Sequence, residues 1–199
     1  METFDLSKKY ILEDDAVLLR PLESSDLGHL APFSINEPDI WKYSLIQAGG
    51  GEAQMQHYIS IAMDAKQMQK EYPFIVFDKK QNKYAGSTRF YDIQLENKTL
   101  QLGYTWYGKQ FQGTGLNKAC KYELLNFGFE NIQFKRIQFS ADLENTKSQR
   151  AIEKLGALQE GIFRNNYVDS EGKSKDDVYY SIILEEWKNT KQVYFSEFI

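Results

Sequence analysis

The chain is 199 residues long, and its 24 Lys and Arg against 28 Asp and Glu leave a formal net charge of −4, which suits one domain spanning 1–199 and argues against a basic nucleic-acid footprint. Its 13 Phe, 13 Tyr and 3 Trp can fill a core, which argues against intrinsic disorder. The single cysteine, Cys120, excludes an internal disulfide and a cysteine-rich metal site. No stretch approaches the roughly 18 apolar residues of a membrane span, and the start has no apolar leader, so a cytoplasmic protein without membrane partners is expected.

Val17 to Arg20 reads as a first strand, stopped by Pro21. Ser24-Ser25-Asp26 offers oxygens that can cap a helix. Gly49-Gly50-Gly51 frees the backbone for a loop. From Glu52 to Glu71 neither Gly nor Pro interrupts the chain, and Met55, Tyr58, Ile59, Ala62 and Met63 recur at helical spacing. Pro73 ends that helix. Phe74 to Phe77, Tyr84 to Ile93 and Thr99 to Tyr107 then alternate with polar turns, as in an antiparallel meander.

After Gly113-Thr114-Gly115 the period changes. Leu116, Ala119, Cys120, Leu124, Leu125, Phe127 and Phe129 mark a helix with a broad apolar face. Arg136 to Ala141 is the next strand, Asn145 to Leu155 a helix with Gly156 just past its end, and Gln159 to Val168 and Asp177 to Leu184 the last two strands. The order β-α-α-β-β-β-α-β-α-β-β predicts an α+β fold with a mixed, largely antiparallel sheet flanked by helices. Residues 99–141 form a parallel β-α-β unit, where a ligand site at strand carboxyl ends is expected. The core is expected over about 16–187, with 188–199 as a tail.

Gln110-Phe111-Gln112-Gly113-Thr114-Gly115-Leu116 joins a strand to a helix. The first amides of a helix lack internal partners, and the helix dipole adds about half a positive charge there. Such a turn can hold phosphate through main chain alone. Two alternatives fail on the letters. Gly108 and Gly113 have the P-loop spacing, but Thr114 stands where Lys is required. Gly113 and Gly115 open a dinucleotide fingerprint, but Lys118 occupies the third glycine position.

The pattern Gln110-x-x-Gly113-x-Gly115 resembles the pyrophosphate-binding signature of the GCN5-related N-acetyltransferase (GNAT) superfamily. The strand Leu102 to Tyr107 precedes it. Asn145-Thr-Lys-Ser148, Lys154-Leu155-Gly156-Ala157 and Glu160-Gly161 follow in that family's order. Leu19-Arg20-Pro21-Leu22 with Asp26 is similar to the branch that acetylates the N-termini of ribosomal proteins.

This resemblance implies acetyl transfer from acetyl-coenzyme A (acetyl-CoA), without a metal, to a primary amine on a protein N-terminus or small molecule. It assigns the pyrophosphate to Gln112, Gly113, Thr114, Gly115, Leu116 and Asn117. The pantetheine arm falls to the backbone of Thr105, Trp106 and Tyr107, on a strand that splays from its parallel neighbour, with a bulge near Thr105. Asn145 falls where the family contacts the cofactor arm, and Ser148 where this branch is proposed to protonate the departing thiolate.

Many members use a tyrosine acid seven positions after that Asn; here Ile152 stands there. Tyr167 replaces a glutamate proposed as base in some relatives, and a phenol is a poor base at neutral pH. The base is left open between water relayed through Asp92, Asp142 or Tyr167 and no dedicated residue. A non-catalytic acyl-CoA sensor of the same fold is the alternative reading. A homodimer is compatible with the sequence, which says nothing further of assembly.

Overall fold

In the computed structural model, which describes residues 4–199, eight strands form a single sheet. They are β1 (Leu12–Glu13), β2 (Val17–Pro21), β3 (Tyr72–Asp78), β4 (Lys83–Gln94), β5 (Thr99–Tyr107), β6 (Arg136–Asp142), β7 (Leu158–Val168) and β8 (Ser174–Ile183). Their order across the sheet is β1-β2-β3-β4-β5-β6-β8-β7. Only β5 and β6 pair in parallel. Helices α1 (Leu27–Asn36) and α2 (Glu52–Gln67) precede β3, α3 (Leu116–Asn126) joins β5 to β6, α4 (Thr146–Glu153) joins β6 to β7, and α5 (Leu184–Tyr194) follows β8. The α+β expectation holds, with β1 and α5 added to the predicted order. Among the described residues, no helix is long and apolar enough to cross a membrane.

Side-chain alternation shows how the helices are layered. Trp106 of β5 meets Tyr58 of α2, with ring centroids 6.2 Å apart, whereas the neighbouring Thr105 accepts from Lys121 Nζ of α3 at 2.7 Å. Successive strand residues point to opposite faces, so α2 and α3 cover opposite sides of the sheet. Helices α4 and α5 lie on the α3 side. Tyr122 of α3 stacks on Phe198 and tilts against Phe195, and a Cβ on Gly156, just after α4, would come within 2.5 Å of Tyr194. Covered on both faces, β3 has Phe74, Ile75 and Val76 fully buried.

The functional geometry begins where the sheet fails to close. Pairing between β5 and β6 covers only Thr99–Gln101 against Arg136–Gln138. Beyond those residues β5 stays with β4 through Tyr107, while β6 stays with β8 through Asp142. The two strands therefore diverge, as the family resemblance implies.

A bulge accompanies the divergence, near Thr105 as expected. The β4–β5 register passes from Ser87 opposite Trp106 to Arg89 opposite Gly103, leaving Tyr104 and Thr105 across from Thr88 alone. Tyr104 adopts a left-handed φ of 48°, a strained choice for a bulky residue. Its ring is held over the Arg89 guanidinium at 4.4 Å and against Tyr91 at 4.9 Å. Arg89 is fully buried and pairs with Glu71 at 2.7 Å.

Several boundaries differ from the sequence reading. Ser24–Asp26 forms a 3-10 turn, and the Asp26 carboxylate does not cap α1. It accepts from the Glu23 amide and binds Arg20 bidentately, because Arg20 projects from the end of β2 beside it. The helix starting at Glu52 ends at Gln67, earlier than Glu71, and Gln69 turns the chain with a φ of 56°. Helix α3 gives way at Phe127 to a π-helical turn that keeps Phe127 and Phe129 buried. Gly156 takes the left-handed conformation expected just past a helix end. Residues 188–199 are no tail. Helix α5 buries Trp187, and Phe195 after it is fully buried.

Candidate active site

The divergence of β5 and β6 opens a cleft of about 700 Å³. One wall is Leu102 to Tyr107 of β5, the other Phe139 to Asp142 of β6. The segment Asp39–Leu45 overhangs one side and α4 the other. Extended backbone without a strand partner presents open donors and acceptors, so the β5 wall suits an extended amide-bearing chain. Thr105, Trp106 and Tyr107 all line it, as expected. Trp106 and Tyr107 are buried by their rings, which leaves main chain as what they offer. The carbonyl of Tyr107 already accepts from Gln112 Nε2 at 2.8 Å, which ties the glycine turn to the end of the wall.

That turn stands at the mouth of the cleft. Gly113 and Gly115 have φ of 77° and 94°, and a Cβ on either would meet nothing within 4 Å. The amides of Gly113, Thr114, Gly115 and Asn117 carry no hydrogen bond among the described residues. The Thr114 hydroxyl fastens the turn by donating to the Phe111 carbonyl at 2.8 Å. Of the residues expected to hold pyrophosphate, Gln112, Gly113 and Asn117 border the cleft, whereas Thr114, Gly115 and Leu116 lie behind them. Gln110 is exposed in a short 3-10 turn and does not line the cleft. The turn is not free of cations. Lys147 Nζ donates to Gln112 Oε1 at 2.5 Å across the mouth, and Lys109 lies at the rim, paired with Asp39 at 2.8 Å.

Asn145 caps α4, its Oδ1 accepting from the Ser148 amide at 3.1 Å. That bond uses only the oxygen, so Nδ2 is free to face the cleft, which Asn145 also lines. Ser148 lines it too, and its hydroxyl makes no hydrogen bond among the described residues. Ile152 stands one turn further along α4 as part of the same wall.

The opposite side of the cleft carries two carboxyls, Asp142 and Asp177, with the Lys175 ammonium 3.7 Å from the Asp142 carboxylate as a partial counter-charge. A Cβ on Gly128, just after α3, would meet Ile137, which puts Ile137, Phe139 and Ala141 on the α3 face and Ser140 and Asp142 on the other. Asp177 sits directly across from Asp142 in the β6–β8 pairing. Burial, with Asp142 as a like-charged neighbour, raises the Asp177 carboxyl above its ordinary range, although the Asn166 amide opposes this. Tyr167 donates its hydroxyl proton to the Asp142 carboxylate. Burial and that bond push the phenol up, away from the range of a useful base. Asp92 does not line the cleft.

Lys121 is the residue the sequence reading missed. It lies four residues after Asn117 and before Leu124 and Leu125, so helical spacing turns it toward the sheet. It is 5% exposed, borders the cleft, and donates to Thr105 Oγ1 at 2.7 Å and Thr88 Oγ1 at 3.2 Å. These two hydroxyls lie 2.7 Å apart, closing a polar triad at the bulge. No carboxylate pairs with Lys121 among the described residues, and burial lowers its amine to about 8. Cys120 beside it is buried, its thiol pushed up by burial, in keeping with a packing role on the apolar stripe.

Comparison with known proteins agrees with this geometry. Residues 16–158 match the family model described as Acetyltransferase (GNAT) domain. The Bacillus subtilis (strain 168) protein named "Putative ribosomal N-acetyltransferase YdaF" is 33% identical over 107 residues, 53% of this chain and 57% of that one. The Bacillus licheniformis protein "Uncharacterized N-acetyltransferase p20" is 24% identical over 88% of this chain and 97% of its own. Among solved structures, a GCN5-related N-acetyltransferase from Brucella melitensis superposes with a TM-score of 0.87 at 23% identity, covering 95% of this chain and 85% of that one. The RimL ribosomal L7/L12 alpha-N-protein acetyltransferase, solved with coenzyme A, gives 0.76 at 19% identity, covering 88% and 99%. With a splayed parallel pair, an amide-lined glycine turn at the mouth of the cleft and a family match over most of its length, the chain belongs to the GNAT acetyltransferase family.

Proposed function

We propose that the protein moves an acetyl group from acetyl-CoA to a primary amine, by direct attack with both substrates in the cleft. The observation that carries this reading is the cleft itself: an unpaired strand edge leading from a turn of four unpaired amides. The turn suits the diphosphate of the donor, with Lys147 as an added charge at the mouth. The exposed edge of Thr105 to Tyr107 suits the pantetheine arm, and Asn145 Nδ2 reaches it from the other wall. The RimL neighbour, solved with coenzyme A, supports this assignment of the donor.

On the acidic side, Asp142 and Asp177 attract a cationic acceptor. Asp177, with its raised carboxyl, is the group we assign to take a proton from the incoming ammonium. Tyr167 is then a positioning residue that fixes Asp142. A main-chain amide of the bulged strand supplies the oxyanion donor, a contribution of about 3–4 kcal/mol in other acyl-transfer sites. Holding both substrates in one cleft provides much of the remaining acceleration. Ser148 offers a free hydroxyl on the α4 side, near where the thiol departs.

Calorimetric titration with acetyl-CoA tests the donor assignment. Heat of one-site binding is expected from the wild type and none from Gly115→Asp, which places a carboxylate among the phosphate-binding amides. Equal heats from both proteins, or none from the wild type, contradict the reading. Loss of coenzyme A thiol blocking, followed over a panel of amines and peptides, separates an enzyme from an acyl-CoA sensor: turnover with any acceptor eliminates the sensor.

A further inference from the structure

Lys121 presents a problem that packing does not solve. An ammonium taken out of water is costly unless a charge partner offsets it. Here Thr105, from β5, and Thr88, from β4, are the only hydrogen-bond partners among the described residues, and both are neutral. They already satisfy one another at 2.7 Å, so neither needs the lysine. Two of its three N–H groups are used, and the third has no acceptor among the described residues.

The side of the cleft is as informative as the contacts. Thr105 and Lys121 lie on the α3 face, shared with Phe139 of β6 and with Ser148 and Ile152 of α4. None of these brings a negative charge. Asp142 and Asp177 lie on the opposite face, where an ammonium is attracted. The cleft is thus polarised across the sheet, net anionic where an amine enters, with two carboxyls against the one ammonium of Lys175, and cationic on the far side. An acyl transfer needs that polarity, because the nucleophile arrives positive and the leaving group departs negative.

We propose that the Lys121 ammonium, held by Thr88 and Thr105 at the bulge of β5, faces the sulfur of the bound thioester and supplies the proton that the departing thiolate takes up. As the acceptor nitrogen bonds to the acetyl carbon, the carbon–sulfur bond breaks and its electron pair leaves on sulfur. Lys121 Nζ passes one proton to that sulfur, giving a thiol and a neutral lysine. The acceptor nitrogen sheds two protons, one to Asp177 before the attack and one as the amide forms. The second restores the Lys121 ammonium through solvent in the open cleft and the first leaves Asp177 for solvent, so the enzyme ends as it began. Burial brings the lysine to about 8, no higher than the roughly 8.5 of a cysteine thiol, so the ammonium gives its proton to a departing thiolate without an uphill step.

The inference rests on the proposed use of acetyl-CoA, and its test needs no acceptor. Free coenzyme A is bound to the protein, binding is established by calorimetry, and its thiol is titrated by thiolate absorbance against the ligand-free protein as blank. In the wild type the bound thiol is expected to ionise about one pH unit or more below the thiol free in solution, about tenfold more thiolate at a given pH. Lys121→Met and the polar, neutral Lys121→Gln are expected to return it to the free value or above.

Binding with an unshifted thiol in the wild type overturns the role of Lys121 and leaves the donor assignment standing, and so does an equal shift in the variants. Where neither variant folds, an unshifted thiol in the wild type still overturns that role. Absence of coenzyme A binding overturns the donor assignment and the inference together.

Discussion

Replacing Lys121 with methionine is expected to stabilise the ligand-free protein. Burial holds this amine at about 8 in the folded chain against 10.5 for an ordinary lysine. Between those values the folded state binds fewer protons than the unfolded one. The penalty is therefore complete below about pH 8 and fades as the pH rises toward 10.5. A difference of that size is worth about 3 kcal/mol. Methionine has similar length and no charge, and its arrival leaves Thr88 and Thr105 bonded to each other. Allowing for imperfect packing, the variant should gain about 2 kcal/mol at pH 7, or roughly 4–8 °C in Tm for a domain of this size. Thermal melts and urea titrations at pH 7 and pH 9.5, without ligand, measure it, and the gap between variant and wild type should narrow at the higher pH. A variant less stable than wild type at pH 7, or a gap that ignores pH, refutes the reasoning. A stabilised variant that has lost function is what a residue kept for chemistry predicts.

Three further perturbations probe other parts of the structure. Phe195→Ala should cost about 3–5 kcal/mol, read by urea denaturation, because Phe195 is fully buried and packs against Tyr122 and Trp187; a cost under about 1 kcal/mol would return residues 188–199 to the status of a tail. Gly86→Ala should be severely destabilising in the same assay, since its Cβ would lie 2.0 Å from the Trp106 carbonyl oxygen and force β4 from β5 beside the wall of the cleft; ordinary stability would show that the two strands are less closely held. Ser148→Ala should lower turnover several-fold while leaving the calorimetric affinity for acetyl-CoA nearly unchanged, as its hydroxyl borders the cleft without bonding the chain; unchanged turnover would show that this hydroxyl takes no part in the reaction.

Most of the scaffold was legible because its signals are local. Apolar runs between polar turns marked β3 to β6, and the glycine turn announced the start of α3 through Gly113 and Gly115. The parallel pair followed from one strand–helix–strand unit, and the bulge was expected near Thr105. Legibility failed where distant side chains decide the outcome. Asp26 is drawn from capping by Arg20, a partner six residues back across a turn. Helix α5 mixes Trp187 with a polar run, and its apolar face makes sense only against Tyr122, Phe129 and Phe195. Two residues of β1 are too few to show a period.

The site divides along the same line. Turn and wall residues came from the resemblance carried by a short local motif, since main chain does their work. Gln110 matched the letters of the motif yet stands exposed in the 3-10 turn at Lys109–Phe111 and does not line the cleft. Asp177 and Lys121 belong to no motif. Asp177 reaches the cleft through strand register with Asp142, and Lys121 through a helix face that meets the bulge. Lys121 did carry a signal: a charged residue at helical spacing within an otherwise apolar face.

The most direct measurement is a crystal structure of the protein with coenzyme A. The diphosphate should lie within hydrogen-bond distance of the amides from Gly113 to Asn117, with the pantetheine arm along Thr105 to Tyr107 and the sulfur facing Lys121 Nζ. Coenzyme A bound elsewhere on the sheet, or a glycine turn whose amides are taken up by the protein's own side chains, would contradict the assignment of the cleft.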